Sequence, residues 1–142
     1  MEGFHHSIKV NVRFGDIDLL HHVNNAAFAS ILDEGRINYS KEVDPEGFNP
    51  DRIAMVLVNI NLDFIASAHI FDQLEIFTRC TRIGNKSLDL EQMICLCPEG
   101  KVIVRSHSTL VSIDPYTHES RAVPEDWILK LEQFEGKQLK KR

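Results

Sequence analysis

The sequence predicts an α+β fold: one long helix packed on a strongly curved antiparallel sheet of about five strands. Three observations predict it. The elements read in the order strand, helix, four strands, short helix. The apolar residues alternate in the strand-like runs and take helical spacing in the one long run between them. The connections among the last four strands are short, which favours antiparallel pairing.

The first run, residues 6–14, reads "HSIKVNVRF", with Ile8, Val10, Val12 and Phe14 alternating with polar residues as in a half-buried strand. Over residues 25–41, Phe28, Ile31, Leu32 and Gly35 fall at helical spacing, and Ala26, Ala27 and Ala29 favour helix. Asp33, Glu34 and Arg36 mark its more polar side, and it should stop before Pro45 in "DPEGFNPD". Residues 54–66 form the next strand, with Val56, Val58, Ile60, Leu62 and Phe64 on one face. Residues 72–83 and 87–97 follow, the latter with Leu88, Leu90, Ile94 and Leu96 on one face. The turn "CPEGK" leads to a last strand over 102–113. "VPEDWILKLEQF" closes the fold as a short helix, with Pro124 in its first turn and Trp127 as an apolar clamp. One helix cannot cover both faces of such a sheet, so a dimer or larger assembly is expected.

A chain of 142 residues is expected to form a single domain, residues 1–142, that buries about two-thirds of its unfolded surface. A net charge of −5 argues against a nucleic-acid-binding face, which calls for basic residues. The basic run "KQLKKR" at 137–142 reads as a solubilising tail. No stretch approaches the ~18 apolar residues of a membrane span. "MEGFHHSIKV" lacks the pattern of a signal peptide. Cys80, Cys95 and Cys97 are odd in number and lack framework spacing, which suggests a reducing compartment and hence the cytoplasm. No further ligands stand near them at metal-binding spacing, so they are read as packing residues.

"DIDLLHHVNN", Asp16 to Asn25, crowds carboxylates, imidazoles and amides at the junction of a strand and the helix. One reading is structural. Asn24 or Asn25 caps the helix, Asp16 and Asp18 complement its positive end, and the histidines are solvated turn residues. The other is chemical. Free N–H groups at a helix start can polarise a carbonyl oxygen, and Asp18 can attack the carbon or activate water beside it. His22 can hold the turn or donate to substrate. This suits acyl transfer to water, and no Gly-x-Ser-x-Gly elbow offers a serine instead.

"VRFGDIDLLHHVNNAAFASILDEGR" resembles the signature of the 4-hydroxybenzoyl-CoA thioesterase family within the hotdog-fold superfamily, in its His-Val-Asn-Asn subgroup. Asp16, Asp18, His22, Val23, Asn24, Asn25, Phe28, Glu34 and Arg36 match in order, and "RIGNKS" and "STLVSIDPYTHESRAVPEDW" resemble later parts of the family. The resemblance implies a hotdog fold, a sheet of about five strands wrapped around a long central helix, assembled as a homodimer or homotetramer. It implies acyl-CoA thioester hydrolysis at the subunit interface, with no metal and no bound cofactor. Asp18 falls at the catalytic carboxylate and Asn25 near the amide that polarises the thioester. His22 orders the loop. Asn24 and Phe28 are placed in substrate binding, and Lys86 at a turn that holds CoA phosphates. The chain departs from many members at His21, where they have Gly in the tight turn. Carrier-protein thioesters, non-catalytic acyl-thioester binding, and hydration or dehydration of an acyl thioester are the other activities considered.

For the remaining residues, Asp16 is expected to anchor the turn. Glu34 is expected to pair with Arg36 or to face a neighbouring subunit. Asn59 and Asp63 are placed on a cleft wall or in solvent, and His107 on a strand.

Overall fold

The computed structural model describes residues 1–141. Its elements are β1 (Ser7–Asn11), α1 (Asn25–Val43), β2 (Ala54–Phe64), β3 (Gln73–Ile83), β4 (Ser87–Leu96), β5 (Lys101–Ile113) and α2 (Glu125–Glu135). A 3-10 turn, Phe14–Asp16, lies between β1 and α1. The strands form one sheet in the order β1-β3-β4-β5-β2, and every pairing is antiparallel. The register shifts between Leu57 and Asn59, between Cys80 and Arg82, and between Ile94 and Cys95. Such bulges bend a strand and increase its twist, which lets the sheet curve about the helix.

The helix starts where its cap does. The Asn24 side chain accepts from the Ala27 amide, so Asn24 is the cap and Asn25 the first helical residue. At the other end the Asp44 amide closes on Ser40, one residue before Pro45. The expected apolar stripe is buried: Phe28, Ile31, Leu32 and Gly35, continued by Arg36, Tyr39 and Val43. This face lies across β3, flanked by β1 and β4.

Two apolar clusters fill the space, one around Phe28 and Leu32, the other around Tyr39 and Trp127. Between them α1 crosses the sheet closely at Gly35. A Cβ there would stand 2.7 Å from Ile76 Cγ2 and 2.8 Å from Gln92 Nε2. Gln92 interrupts the apolar series of β4 and is wholly buried. Its amide donates to the Leu32 carbonyl and to Thr78 Oγ1, both at 3.0 Å, and its oxygen accepts from Arg36 Nη1 at 3.0 Å. These bonds offset the penalty of burying an amide. Arg36 also pairs with Asp33 rather than with Glu34.

At the far end Tyr39 donates to Glu135 Oε2 at 2.5 Å and accepts from the Cys80 amide at 3.1 Å, which ties α2 to α1 and β3. Burial pushes the Tyr39 hydroxyl up, and the Cys80 thiol is pushed up to about 12 by burial as well. Cys80 is therefore a packing thiol, as expected, and Cys95 is buried too. Trp127 is buried against Phe48, with ring centroids 5.8 Å apart.

Four expectations are corrected. Phe14 is not on the buried face of β1; it sits in the 3-10 turn and is 82% exposed. The bulge at Leu57–Asn59 breaks the single face expected of β2, so Leu57 opposes Leu110 while Val56 opposes Val111, and Val58 is unpaired and exposed. Pro124 stands at the cap of α2, one residue before its first turn. The basic tail is no free solubilising segment over 137–141. Leu139 is buried, the Leu139 and Lys140 amides donate to Glu132 Oε2 at 2.7 and 3.0 Å, and Lys140 bridges to Ile83. Arg142 lies outside the described residues. Among the described residues no helix is long and apolar enough to cross a membrane.

Gly35→Ala should lower stability by about 1–3 kcal/mol, because the added methyl overpacks the crossing. A lower urea midpoint at an unchanged m-value would show it.

Candidate active site

The site is built by the chain between β1 and α1. In the 3-10 turn Asp16 is buried, and its carboxylate accepts from the Arg13 amide at 2.9 Å and from the Arg13 guanidinium at 3.1 and 3.3 Å. Burial alone would push the Asp16 carboxyl up, but the hydrogen bonds from Arg13 outweigh it and hold the carboxyl below its usual range. The Asp16 carbonyl also accepts the Asn24 amide at 2.9 Å. Asp16 is thus the anchor the sequence suggested.

Residues 18–22 then make a tight reverse turn. The Asp18 amide donates to His22 O at 2.9 Å and the His21 amide to Asp18 O at 3.0 Å. His21 takes the left-handed conformation, with φ at 64°. That is where the family resemblance places Gly, and histidine is among the residues that tolerate the region best. Asp18 Oδ1 accepts from the amides of Leu20 at 2.9 Å and His22 at 3.3 Å. Its other oxygen, Oδ2, accepts no hydrogen bond among the described residues. The helix cap satisfies Ala27, while the amides of Asn25 and Ala26 have no partner among the described residues.

Asp18, His22, Asn25 and Phe28 line one cleft of about 260 Å³, whose other wall is the end of β2 and the residues after it, 64–67. Asp18 is solvent-exposed at its mouth. Phe28 is buried at its base, its ring 6.0 Å from that of Phe64. The cleft therefore brings together a carboxylate with one unpaired oxygen, the first residue of the helix, Asn25, and an apolar floor. An sp² carbonyl carbon placed between them would have a base or nucleophile on one side and hydrogen-bond donors for its oxygen on the other.

Lys86 is not brought to this cleft on its own chain. The Lys86 carbonyl accepts the Ser112 amide, and Ser112 pairs with Met55 near the start of β2, whereas Phe64 ends it. The two places are about 30 Å apart at the usual rise of a strand. Glu34 is exposed and flanks a separate hollow with Arg13 and Asp16. Asn59, Asp63 and His107 are exposed on their strands. The sequence reading missed His69, whose ring meets that of His22, and residues 64–67. Phe64 ends β2 and the others come from the loop after it, whose backbone pairing with the motif, Val23 to Ala68 and His22 to His69, brings them to the site. Among the described residues no three of His, Cys, Asp or Glu gather as a metal site.

Residues 12–131 match the thioesterase-like superfamily, and the chain belongs to that superfamily. It is a thioester hydrolase. It is similar to the long-chain acyl-CoA thioesterase FadM of Escherichia coli K12, with 34% identity over 127 residues, 89% of this chain and 96% of the relative. It is similar at 24% identity to the acyl-CoA thioester hydrolase YbgC of Escherichia coli O6:H1, over 87% of this chain and 93% of the relative. Among solved structures, a Thermus thermophilus thioesterase complexed with coenzyme A and Zn superposes with a TM-score of 0.85 at 27% identity, covering 96% of this chain and 98% of that one. The probable thioesterase YbaW of Escherichia coli superposes at 0.79 with 34% identity, covering 92% and 98%.

His21→Val should destabilise the chain by about 1–2 kcal/mol, since a β-branched residue resists the left-handed region. His21→Gly should be tolerated. Paired urea titrations of the two variants check the contrast.

Proposed function

We propose that this chain hydrolyses acyl-CoA thioesters to the free acid and CoA. One observation carries the proposal: Asp18, with one carboxylate oxygen unpaired, and Asn25, with its amide unpaired, line the same cleft as Phe28. That amide receives the thioester oxygen and the charge that develops on it. Asp18 acts on the carbonyl carbon, either directly as nucleophile or through water as general base. In both cases the C–S bond breaks and the thiolate of CoA leaves. Asn24 holds the helix start in place through its cap. His22 fixes Asp18 through its backbone amide and turns its ring to the cleft. Phe28 and Phe64 receive the first carbons of the acyl chain. The similarity to a long-chain acyl-CoA thioesterase and to a CoA-bound thioesterase structure supports this choice of substrate.

The active form on this reading is a homodimer or a tetramer built from it. β2 is an edge strand, and Val56, Leu57, Val58, Phe64 and Ile65 are exposed along or just beyond it. An open apolar edge is a template for a second strand. Two-fold pairing of β2 with its copy is antiparallel, so the start of one β2 meets the end of the other. The turn bearing Lys86 then approaches the cleft of the partner subunit, where a lysine can meet the phosphates of CoA. This resolves the separation of Lys86 from the cleft of its own chain.

Asp18→Asn should keep the fold and reduce kcat about 100- to 10,000-fold across a panel of short, long and aromatic acyl-CoAs, read by release of the CoA thiol. Turnover equal to wild type would remove Asp18 from the mechanism. Val58→Lys should shift the assembly to monomer in sedimentation velocity; an unchanged oligomer would place the interface elsewhere.

A further inference from the structure

His69 lies outside every motif that the sequence singles out, yet the fold sets it against the Asp18 turn. His22 and His69 are an antiparallel bridge pair, and their rings meet edge to face with centroids 4.7 Å apart and planes at 83°. The loop that carries His69 is fixed on both sides. Ala68 O accepts the Val23 amide at 2.8 Å, and Asp72 O accepts the Val12 amide at 2.9 Å. Asp72 also holds His69 itself: its Oδ2 accepts the His69 amide at 2.8 Å and lies 3.8 Å from ring Nδ1.

We infer that His69 is a positioning residue for His22, fixing the orientation in which the His22 ring faces the cleft. The inference rests on the thioesterase reading of that cleft. His22 is half-buried in a turn, and it lines the cleft beside Asp18. No side-chain hydrogen bond holds that ring among the described residues, so its rotamer is set by packing. The edge-to-face contact is the preferred geometry for two aromatic rings and disfavours the other rotamers. Asp72 holds the backbone at His69 through its hydrogen bond to the His69 amide. The His69 side chain is itself 55% exposed, so it adds little to the core. Its removal therefore tests orientation more than stability.

The test uses the full chain. His69→Ala should lower kcat about three- to tenfold on an acyl-CoA substrate with little change in KM, the size expected when one aromatic contact stops selecting a productive rotamer. His69→Phe keeps a ring at that place and should restore most of the rate. Histidine-ring NMR spectra should show a cross-relaxation contact between His22 and residue 69 in the wild type and in His69→Phe. In His69→Ala the His22 ring signals should move. Unchanged kcat in His69→Ala overturns the inference, whether or not those signals move. So does a His22 spectrum indifferent to His69. Asp18→Asn run beside these variants separates the two readings. If it abolishes hydrolysis while His69→Ala matches wild type, only the role of His69 falls. If it too leaves hydrolysis untouched, the thioesterase reading falls and the role of His69 falls with it.

Discussion

The site depends on how Asp16 joins β1 to α1. Its carboxylate is buried, and the hydrogen bonds from the Arg13 amide and guanidinium outweigh that burial and hold it below its usual range. Its carbonyl takes the Asn24 amide and so fixes where the helix begins. Between these two attachments the chain has only a short path, and the reverse turn at 18–22 is what fits. Asp18 is therefore held at a fixed place relative to the Asn25 and Ala26 amides, although it belongs to neither a strand nor a helix. The Asp16 carboxylate, as anchor of the turn, thus sets the position of the carboxylate proposed to act on substrate.

The other end of that geometry is set by packing. The cleft lies between the start of α1 and the end of β2, so the helix must not slide on the sheet. Gly35 allows a crossing that any Cβ would obstruct, and Gln92 locks it with bonds to Leu32, Thr78 and Arg36. Sliding α1 along its axis would break these bonds while leaving the amide of Gln92 buried, and unmade buried bonds are expensive. The surrounding core of Leu, Ile and Val would tolerate small shifts more readily, because dispersion is not directional. At the cleft a histidine takes positive φ, as Phe71 and His118 do elsewhere, and the amide of Asn25 has no partner among the described residues.

Most of the fold was legible because it follows from period. Alternation in β3, β4 and β5, helical spacing from Phe28 to Gly35 and the proline after α1 gave element types and order nearly to the residue. The misreadings have physical causes. One extra residue at the β2 bulge reverses which side chains face inward, and periodicity counted across it must fail. Phe14 keeps the alternation of β1 by position, but Asp16 pulls the chain into a turn first. The tail reads as solvated because its lysines dominate the composition, while Leu139 and the bonds to Glu132 decide its placement. In the site, Asp16 as anchor and a helix cap at Asn24 or Asn25 were readable because they are local, and the tight turn at His21 was implied by the family resemblance. His69 and residues 64–67 were not. They reach the cleft through a loop distant in sequence, and a lone histidine after a strand carries no signal of its partner.

On the thioesterase reading, one chain supplies only part of a substrate site. A cleft of about 260 Å³ is at the small end for a ligand pocket. Asp18 stands in water at its mouth, and Phe64 and Ile65 are exposed at its rim. A carboxylate works poorly as a base or nucleophile while fully hydrated, and the free amides polarise a carbonyl weakly in a high dielectric. Both effects strengthen if a second copy along the β2 edge excludes water and extends the apolar walls. On the thioesterase reading, then, the exposure of Asp18 and the exposure of the β2 edge are one feature: the surface left bare by a single helix is the surface that a partner must cover before the chemistry becomes efficient.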